Sequence, residues 1–400
     1  MTEPAPQDPG VLPEGSRLVH IGPHKTGTTS LQAALFAGRA PMLEQGVRHV
    51  GRTPNPSLAV RAMTGQAAST STEVPPPMRY WRDLAGEFRR AGEPRVVVSS
   101  EFFAWATPEV IGRIADELDP ARLRIAVTLR ALGRILPSQW QQNVQAGMVL
   151  PYDRWLHELF DEPARPAAAA FWALHRHDEL VRRWADVVGI DRVTVVVVDE
   201  RDHGMVLRSF EQLLGLHDGT LAQVGDRSNR SLTLPEAEAV RAFNIAGKDE
   251  KISRALHAKV MRYGAAGYMK QRPPRSDEPR VETPQWALDA AGVVAREMVA
   301  AIGASGVRVV GDLESLTAVP VSTLAGDRLL DVPIPADVAA SMAMGVLMAS
   351  GLARGKGTEG VWIEPIELAR LPTWQVGAVL VRRSRGAVMT SVRRVLRRRT

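Results

Sequence analysis

The segment at residues 22–32, GPHKTGTTSLQ, constrains the fold of this chain more than any other feature. It follows an apolar run at residues 17–22 that predicts a short buried strand, and the apolar spacing from Thr28 onwards predicts a helix. Consecutive backbone N–H groups in a tight glycine loop, continuing into a helix N-terminus, form a binding site for phosphate. The sequence therefore predicts a strand–loop–helix unit that binds a phosphorylated ligand.

Later runs of apolar, β-branched residues predict further strands, and helical patterns separate them. The strands are predicted at residues 95–100, 124–130 and 193–199, and the helices at 108–118, 132–148, 171–188 and 205–214. Strands that are apolar on both faces and alternate with helices are typical of a parallel sheet covered on both sides. We therefore expect an α/β fold, P-loop-like, with three layers, a central parallel sheet flanked by helices and a helical C-terminal appendage.

Changes in composition along the chain predict its domain organisation. Residues 1–15 are rich in proline and glycine and predict a disordered leader, while residues 16–318 form the main domain, which ends near a short strand at 306–311. Residues 319–400 predict a helical appendage that ends in an Arg-rich tail. Its apolar stretch at 338–353 is interpreted as a buried helix, too short to span a bilayer comfortably.

The formal net charge of +6 arises in the tail, because residues 382–400 contain eight arginines and no acidic residue. The rest of the chain is nearly balanced, and no nucleic-acid-reading motif accompanies the charge, so we expect no nucleic-acid partner. The polar N-terminus lacks the features of a signal peptide, which predicts a cytoplasmic protein. The tail is interpreted either as a solvated terminus or as a basic amphipathic helix in peripheral contact with anionic lipid at the inner face of the membrane.

Cysteine is absent, which excludes disulfides, thiolate metal sites and a cysteine nucleophile. The nine histidines show no metal-binding spacing, so no metal site is predicted.

The loop differs from the Walker A motif of nucleoside triphosphatases at one decisive position. Gly22 and Gly27 have the spacing of G-x-x-x-x-G-K-[ST], but Thr28 stands where that motif has lysine, and the lysine is inside the loop at Lys25. A P-loop kinase or other nucleotide-binding protein is therefore the alternative rather than the first hypothesis.

The run HKTGTTSLQ resembles the 5′-phosphosulfate-binding loop, P-K-x-G-T-T, of sulfotransferases that use 3′-phosphoadenosine 5′-phosphosulfate (PAPS). His24 replaces the proline of that motif, and Pro23 comes one residue earlier. The resemblance, which covers about residues 16–317, is closer to bacterial and heparan-type carbohydrate members than to the cytosolic animal branch. It implies that Lys25 contacts the bridging oxygen and the 5′-phosphate. It also implies that the loop binds the phosphosulfate through Thr26, Gly27, Thr28, Thr29 and Ser30.

A second pair of residues resembles the site that these sulfotransferases use for the 3′-phosphate of the nucleotide. Arg130 ends the predicted strand at 124–130, and Ser138 follows eight residues later, at the predicted opening of the next helix. Arginine offers a bidentate clamp for phosphate, and a helix N-terminus adds N–H donors. The Arg-Lys-Gly segment, with which the cytosolic branch also holds the 3′-phosphate, is absent. Either Lys270 and Arg272 take its place, or they belong to a solvated loop.

The resemblance implies transfer of the sulfuryl group of PAPS to a hydroxyl or amine of a small-molecule or glycan acceptor, such as a carbohydrate or glycolipid, with no metal required. The acceptor must lose a proton as it attacks, and Glu101, at the end of the strand at 95–100, is the predicted base. His24 is its rival, whereas the strand position of His20 predicts a buried, hydrogen-bonded histidine. A catalytically inactive binding module with a membrane-binding basic tail is a further alternative.

Overall fold

Six parallel strands form the central sheet of the computed structural model, which describes residues 10–69, 72–202, 204–224, 230–324 and 332–351. The strands are β1 (Arg17–Ile21), β2 (Val47–His49), β3 (Arg95–Ser99), β4 (Leu123–Leu129), β5 (Val193–Val197) and β6 (Arg308–Val310). Their order across the sheet is β2-β3-β1-β4-β5-β6. All pairings are parallel, so the α/β fold expected from the sequence is confirmed.

The strand order places a crevice beside the carboxyl end of β1. The chain leaves β1 towards β2 on one side of the sheet and later leaves β4 towards β5 on the other. Connections that diverge from two adjacent strands open a crevice between them, and this is where ligands bind in open α/β sheets. The loops after β1 and β4 therefore flank the expected binding crevice.

Helices cover both faces of the sheet. The α-helices are α1 (Thr28–Ala37), α2 (Arg39–Glu44), α3 (Ser57–Thr64), α4 (Arg79–Arg90), α5 (Pro108–Leu118), α6 (Leu132–Gln145), α7 (Tyr152–Asp161), α8 (Pro166–His175), α9 (His177–Val188), α10 (Met205–Leu214), α11 (Leu234–Asp249), α12 (Arg254–His257), α13 (Ala266–Met269), α14 (Gln285–Ala304) and α15 (Ala336–Ser350). A π-helix at Ala258–Ala265 joins α12 to α13, and short 3₁₀ helices lie at Glu101–Trp105, Ile190–Arg192 and Leu313–Thr317.

Alternate residues of the strands enter two different cores. On one face, Val19 and Ile125 pack with helices that include α4, α5 and α9. On the other face, Leu18 and Val196 pack with α1 and α10. Buried parallel strands present apolar residues to both faces, which explains why their sequences contain nearly continuous valine and isoleucine.

A third core is built mainly from helices and contains residues of α6, α7, α8, α11 and α14. Val338 of α15 also belongs to this core. The compact unit that contains the sheet runs to Ser350. The helix α15, which the sequence assigned to the appendage, therefore packs on the body that carries the sheet.

Several local predictions differ from the structure. The helix predicted at 171–188 is two helices, α8 and α9, separated at Arg176, whose guanidinium pairs with Asp178 at 2.8 Å. The interpretation of α15 as a buried helix is wrong, because only Val338 and Gly345 of its residues are buried. Residues 10–15 were placed in a disordered leader, but Leu12 is buried and its N–H donates to the Leu213 carbonyl at 2.9 Å.

Across the residues that the structure covers, no helix combines the length and the apolarity needed to cross a bilayer. Residues 352–400, with the Arg-rich tail, lie outside the described residues. Lipid contact through the tail and a cytoplasmic location therefore stay predictions.

Candidate active site

The loop between β1 and α1 has the backbone shape of an anion-binding nest. Lys25 and Gly27 both adopt left-handed conformations, with φ of 74° and 82°, and α1 begins immediately afterwards at Thr28. Lysine rarely occupies this region, so its backbone strain is a local feature that the surrounding structure must hold in place. Alternation of left-handed and right-handed residues turns successive N–H groups towards one point, where they bind an anion.

A buried polar network holds the loop from below. The Thr26 hydroxyl donates to the Pro23 carbonyl at 2.8 Å and accepts from the Thr128 hydroxyl of β4 at 3.0 Å. Thr28 donates to the Gly22 carbonyl at 3.2 Å. Both threonine side chains are buried, so their hydroxyls shape the loop. Their hydroxyls are therefore not directed at a phosphosulfate. The Thr26 N–H also donates to the Pro23 carbonyl, at 3.3 Å, whereas Thr28, as the first residue of α1, can offer its N–H to an anion.

The network continues to His20, as the sequence predicted for a buried, hydrogen-bonded histidine. Its Nε2 lies 3.1 Å from Thr128 Oγ1, and its Nδ1 lies 2.7 Å from Ser99 Oγ. Burial lowers the pKa of His20 to about 3. The imidazole is therefore neutral at pH 7 and serves as a fixed bridge between strands β1, β3 and β4.

The outer side of the loop is open. Gly27, Thr29 and Ser30 are exposed, and space is free around the position that a Cβ on Gly27 would occupy. The exposed hydroxyls of Thr29 and Ser30 lie in the first turn of α1, where the helix dipole favours an anion. These residues remain suitable for the role that the sequence assigned to them.

Lys25 is surrounded by positive charge. Its pKa falls to about 8, chiefly because burial disfavours the ammonium, and secondarily through repulsion from Lys270, Arg262 and Arg130. Convergence of several cations is expensive in a protein interior and is typical of a site that receives a polyanion.

Arg130 comes directly after β4 and reaches the phosphate loop, as expected for a residue at the same crevice. Its Nη1 donates to the Lys25 carbonyl at 3.0 Å. Its Nη2 donates to Glu200 Oε2 at 2.9 Å, and its Nε donates to Glu200 Oε1. The guanidinium that the sequence assigned to a phosphate is thus held by a carboxylate that follows β5.

A cavity of about 890 Å³ opens beside this pair and is lined by Arg130, Arg134, Ser138 and Glu200. Ser138 does not open a helix as predicted, because α6 begins at Leu132, and its hydroxyl donates to the Ile135 carbonyl at 3.0 Å. Arg134 and Ser138 are four residues apart on α6 and therefore share one face. The structure brings Arg130 and Ser138 together and adds Arg134, which the i, i+4 spacing in the sequence would have revealed.

Glu101 lies at the carboxyl end of β3, at the start of the 3₁₀ helix Glu101–Trp105. Its Oε2 accepts hydrogen bonds from Asn55 Nδ2 at 2.7 Å and from Gln32 Nε2 at 3.1 Å. Ser100 donates to Asn55 Oδ1 at 2.9 Å and fixes the orientation of that amide. The carboxylate is therefore positioned by two amides, from α1 and from the loop before α3, which no sequence pattern had indicated.

His24 lies near Glu101, and its ring meets Phe102 edge-on with centroids 5.7 Å apart. Burial lowers the pKa of His24, and the Glu101 carboxylate partly opposes that decrease. Both candidate bases thus occupy the same end of the loop, and the geometry keeps both in the site.

Lys270 and Arg272, the alternatives for the 3′-phosphate, differ in their surroundings. Arg272 forms ion pairs with Glu236, Glu278 and Asp337 at 2.9, 2.5 and 2.9 Å, so it belongs to a structural network. Lys270 has a pKa lowered by burial and by nearby arginines, and its charge acts on Lys25. Lys270 is therefore near enough to Lys25 for the two charges to repel each other, whereas Arg272 is engaged by carboxylates.

No group of three or more histidine, aspartate or glutamate side chains in the described part of the chain is arranged to hold a metal ion.

No protein-family model matches this chain, and no curated protein matches it. A solved structure, a sulfotransferase from Alicyclobacillus acidocaldarius, is similar at 17% sequence identity and a TM-score of 0.33. The match covers 60% of this chain and 94% of that chain.

Proposed function

We propose that this protein is a sulfotransferase that moves the sulfuryl group of PAPS to a hydroxyl or amine of an unidentified acceptor, such as a glycan or glycolipid. The observation that carries the proposal is the contact between Arg130 and the Lys25 carbonyl at 3.0 Å. It joins the loop that resembles a phosphosulfate site to the arginine that resembles a 3′-phosphate site. One adenosine bisphosphate can therefore span both.

The donor fits the charges of the site. The left-handed residues Lys25 and Gly27 shape a loop whose N–H groups suit the phosphosulfate oxygens. The cavity beside Arg130 is lined by Arg134 and Ser138 and suits a second phosphate. A phosphate that takes the Nε–Nη2 edge of Arg130 must displace the Glu200 carboxylate from it.

Lys25 and Glu101 divide the chemistry between them. As the acceptor oxygen or nitrogen attacks sulfur, its proton passes to Glu101, and the bond between sulfur and the bridging oxygen of the 5′-phosphate breaks. The negative charge that develops on the 5′-phosphate is stabilised by the loop N–H groups and by the ammonium of Lys25. Asn55 and Gln32 hold Glu101 through Oε2, which leaves Oε1 to receive the proton.

Ligand binding tests this proposal against a P-loop kinase. Calorimetry should show that the protein binds adenosine 3′,5′-bisphosphate without magnesium and more tightly than ATP. Tighter binding of ATP that depends on magnesium would refute the proposal and favour the kinase.

Substitution of the base tests the mechanism. Glu101→Gln keeps both amide contacts sterically possible and removes the proton acceptor, so transfer of radiolabelled sulfate from PAPS to cell extract should fall by about 10²–10⁴-fold. Affinity for adenosine 3′,5′-bisphosphate should stay within about twofold. His24→Gln is the matched variant for the rival base, and a larger loss there than in Glu101→Gln would transfer the role to His24.

A further inference from the structure

The ion pair between Arg130 and Glu200 occupies the group that the nucleotide needs. Both Glu200 oxygens accept from the guanidinium, through Nε and through Nη2 at 2.9 Å, and the remaining Nη1 is bonded to the Lys25 carbonyl. This is the parallel two-bond arrangement in which arginine also binds phosphate. A phosphate can therefore take this Nε–Nη2 edge of Arg130, the edge that offers two parallel bonds, only by displacing the carboxylate.

The pair is accessible to a ligand. Side chains of Arg130 and Glu200 are 26% and 36% exposed, and both line the cavity that also presents Arg134 and Ser138. An anion that enters the cavity meets the carboxylate at the same place where it meets the arginines.

The sheet does not need this ion pair to keep its strand ends together. Strands β4 and β5 are already paired in register up to Leu129 and Val197. Beyond the strands, the Val198 N–H donates to the Leu129 carbonyl at 2.8 Å. The Glu200 carboxylate is thus paired with Arg130, a residue of the candidate site.

We propose that Glu200 is a specificity-determining residue that competes with the nucleotide's 3′-phosphate for Arg130. This inference rests on the proposed function and extends it to nucleotide exchange. In the empty site Glu200 keeps the guanidinium paired. A 3′-phosphate displaces it and leaves a carboxylate beside a dianion, so the bound bisphosphate is held less tightly and the product leaves sooner. A nucleotide without a 3′-phosphate does not disturb the pair.

The test compares two nucleotides in two charge-neutralising variants at constant ionic strength. Glu200→Gln removes the negative charge that competes for Arg130. Asp199→Asn is the control: it removes a negative charge from the same turn, but the Asp199 carboxylate accepts a hydrogen bond from the Arg201 backbone N–H at 2.9 Å instead of from Arg130. Calorimetry measures binding of adenosine 3′,5′-bisphosphate and of 5′-AMP. Partly exposed ion pairs are worth at most about a fivefold change in an equilibrium constant. We therefore expect Glu200→Gln to bind the bisphosphate up to about fivefold more tightly, with 5′-AMP within about twofold.

Asp199→Asn should bind both nucleotides as the wild type does. Unchanged or weaker bisphosphate binding in Glu200→Gln, or equal tightening of both nucleotides, overturns the role of Glu200 while the sulfotransferase proposal stands. If neither the wild type nor Glu200→Gln binds the bisphosphate, the proposed function fails and this inference fails with it. Glu200→Ala must change binding in the same direction, which covers the case in which Gln folds poorly.

Discussion

Nucleotide binding should depend on pH through Lys25. The pKa of this side chain falls to about 8 because of burial and of the neighbouring cations. A bound 5′-phosphate supplies the missing negative charge and raises the pKa again, so binding is linked to protonation. The ammonium is present below pH 8 and is lost as the pH rises through 8, so affinity should fall on the alkaline side.

The size of the effect follows from the position of that pKa. At pH 8 about half of the Lys25 side chains are neutral, so binding should take up roughly half a proton. Above pH 8 the affinity for adenosine 3′,5′-bisphosphate should fall by up to about tenfold per pH unit, which is about 1.4 kcal/mol. Between pH 6.5 and 7.5 the affinity should be nearly constant.

Calorimetry in two buffers of different ionisation enthalpy measures both the affinity and the proton uptake. Lys25→Arg is the matched variant, because a guanidinium stays charged across this pH range, and its affinity should show no alkaline fall from this group. A flat wild-type profile between pH 7 and 9.5, or an equal fall in Lys25→Arg, would refute the assignment of Lys25 to the phosphate.

Two predictions concern the framework of the site. Gly22→Ala should abolish bisphosphate binding and lower the free energy of unfolding by more than about 2 kcal/mol, because the new Cβ would lie 1.9 Å from Thr28 Oγ1. Gly219→Ala is the control, because Gly219 has a φ of 80° but open space around it, so only backbone strain of about 1 kcal/mol is expected. Denaturant unfolding measures both variants, and a similar loss of unfolding free energy in the two would contradict the steric argument. Acid should destabilise the protein, because burial lowers the pKa values of His20 and His177 to about 3 and about 4. The unfolded chain binds protons below about pH 6.5, so each residue should remove up to about 1.4 kcal/mol per pH unit between there and its folded pKa; unchanged urea midpoints at pH 7.5, 6 and 5 would argue against this.

The sequence predicted the elements that are long, apolar and regular. Strand β5 and helices α5 and α10 lie where their patterns placed them, because β-branched runs and helical spacing are local signals. Strand β2 escaped prediction, since its three residues are too few to show a period of two. The division between α8 and α9 was hidden as well, because apolar residues continue at helical spacing across Arg176.

The site was predictable only where a motif encodes it. The loop around Lys25 has a recognisable order of residues, but the inward direction of Thr26 and Thr28 depends on Thr128, a hundred residues away in the sequence. Asn55 comes from a loop whose course no local pattern fixes. Glu200 follows β5 in a turn with three acidic residues, at 199, 200 and 202, and nothing in that turn indicates which carboxylate reaches Arg130. Such partners depend on strand order, which sequence patterns do not specify.

The residues that hold the shape of the phosphate loop are different from the residues that face outwards from it. Its shape is fixed by His20, Thr26, Thr28 and Thr128 on the protein side, whereas Thr29 and Ser30 face outwards. An engineer could therefore vary the outward positions in a library, seeking new donors or acceptors, while the turn beneath them stays assembled. By the same reasoning, substitutions at Thr29 and Ser30 should change what the loop can bind without changing the fold of the loop.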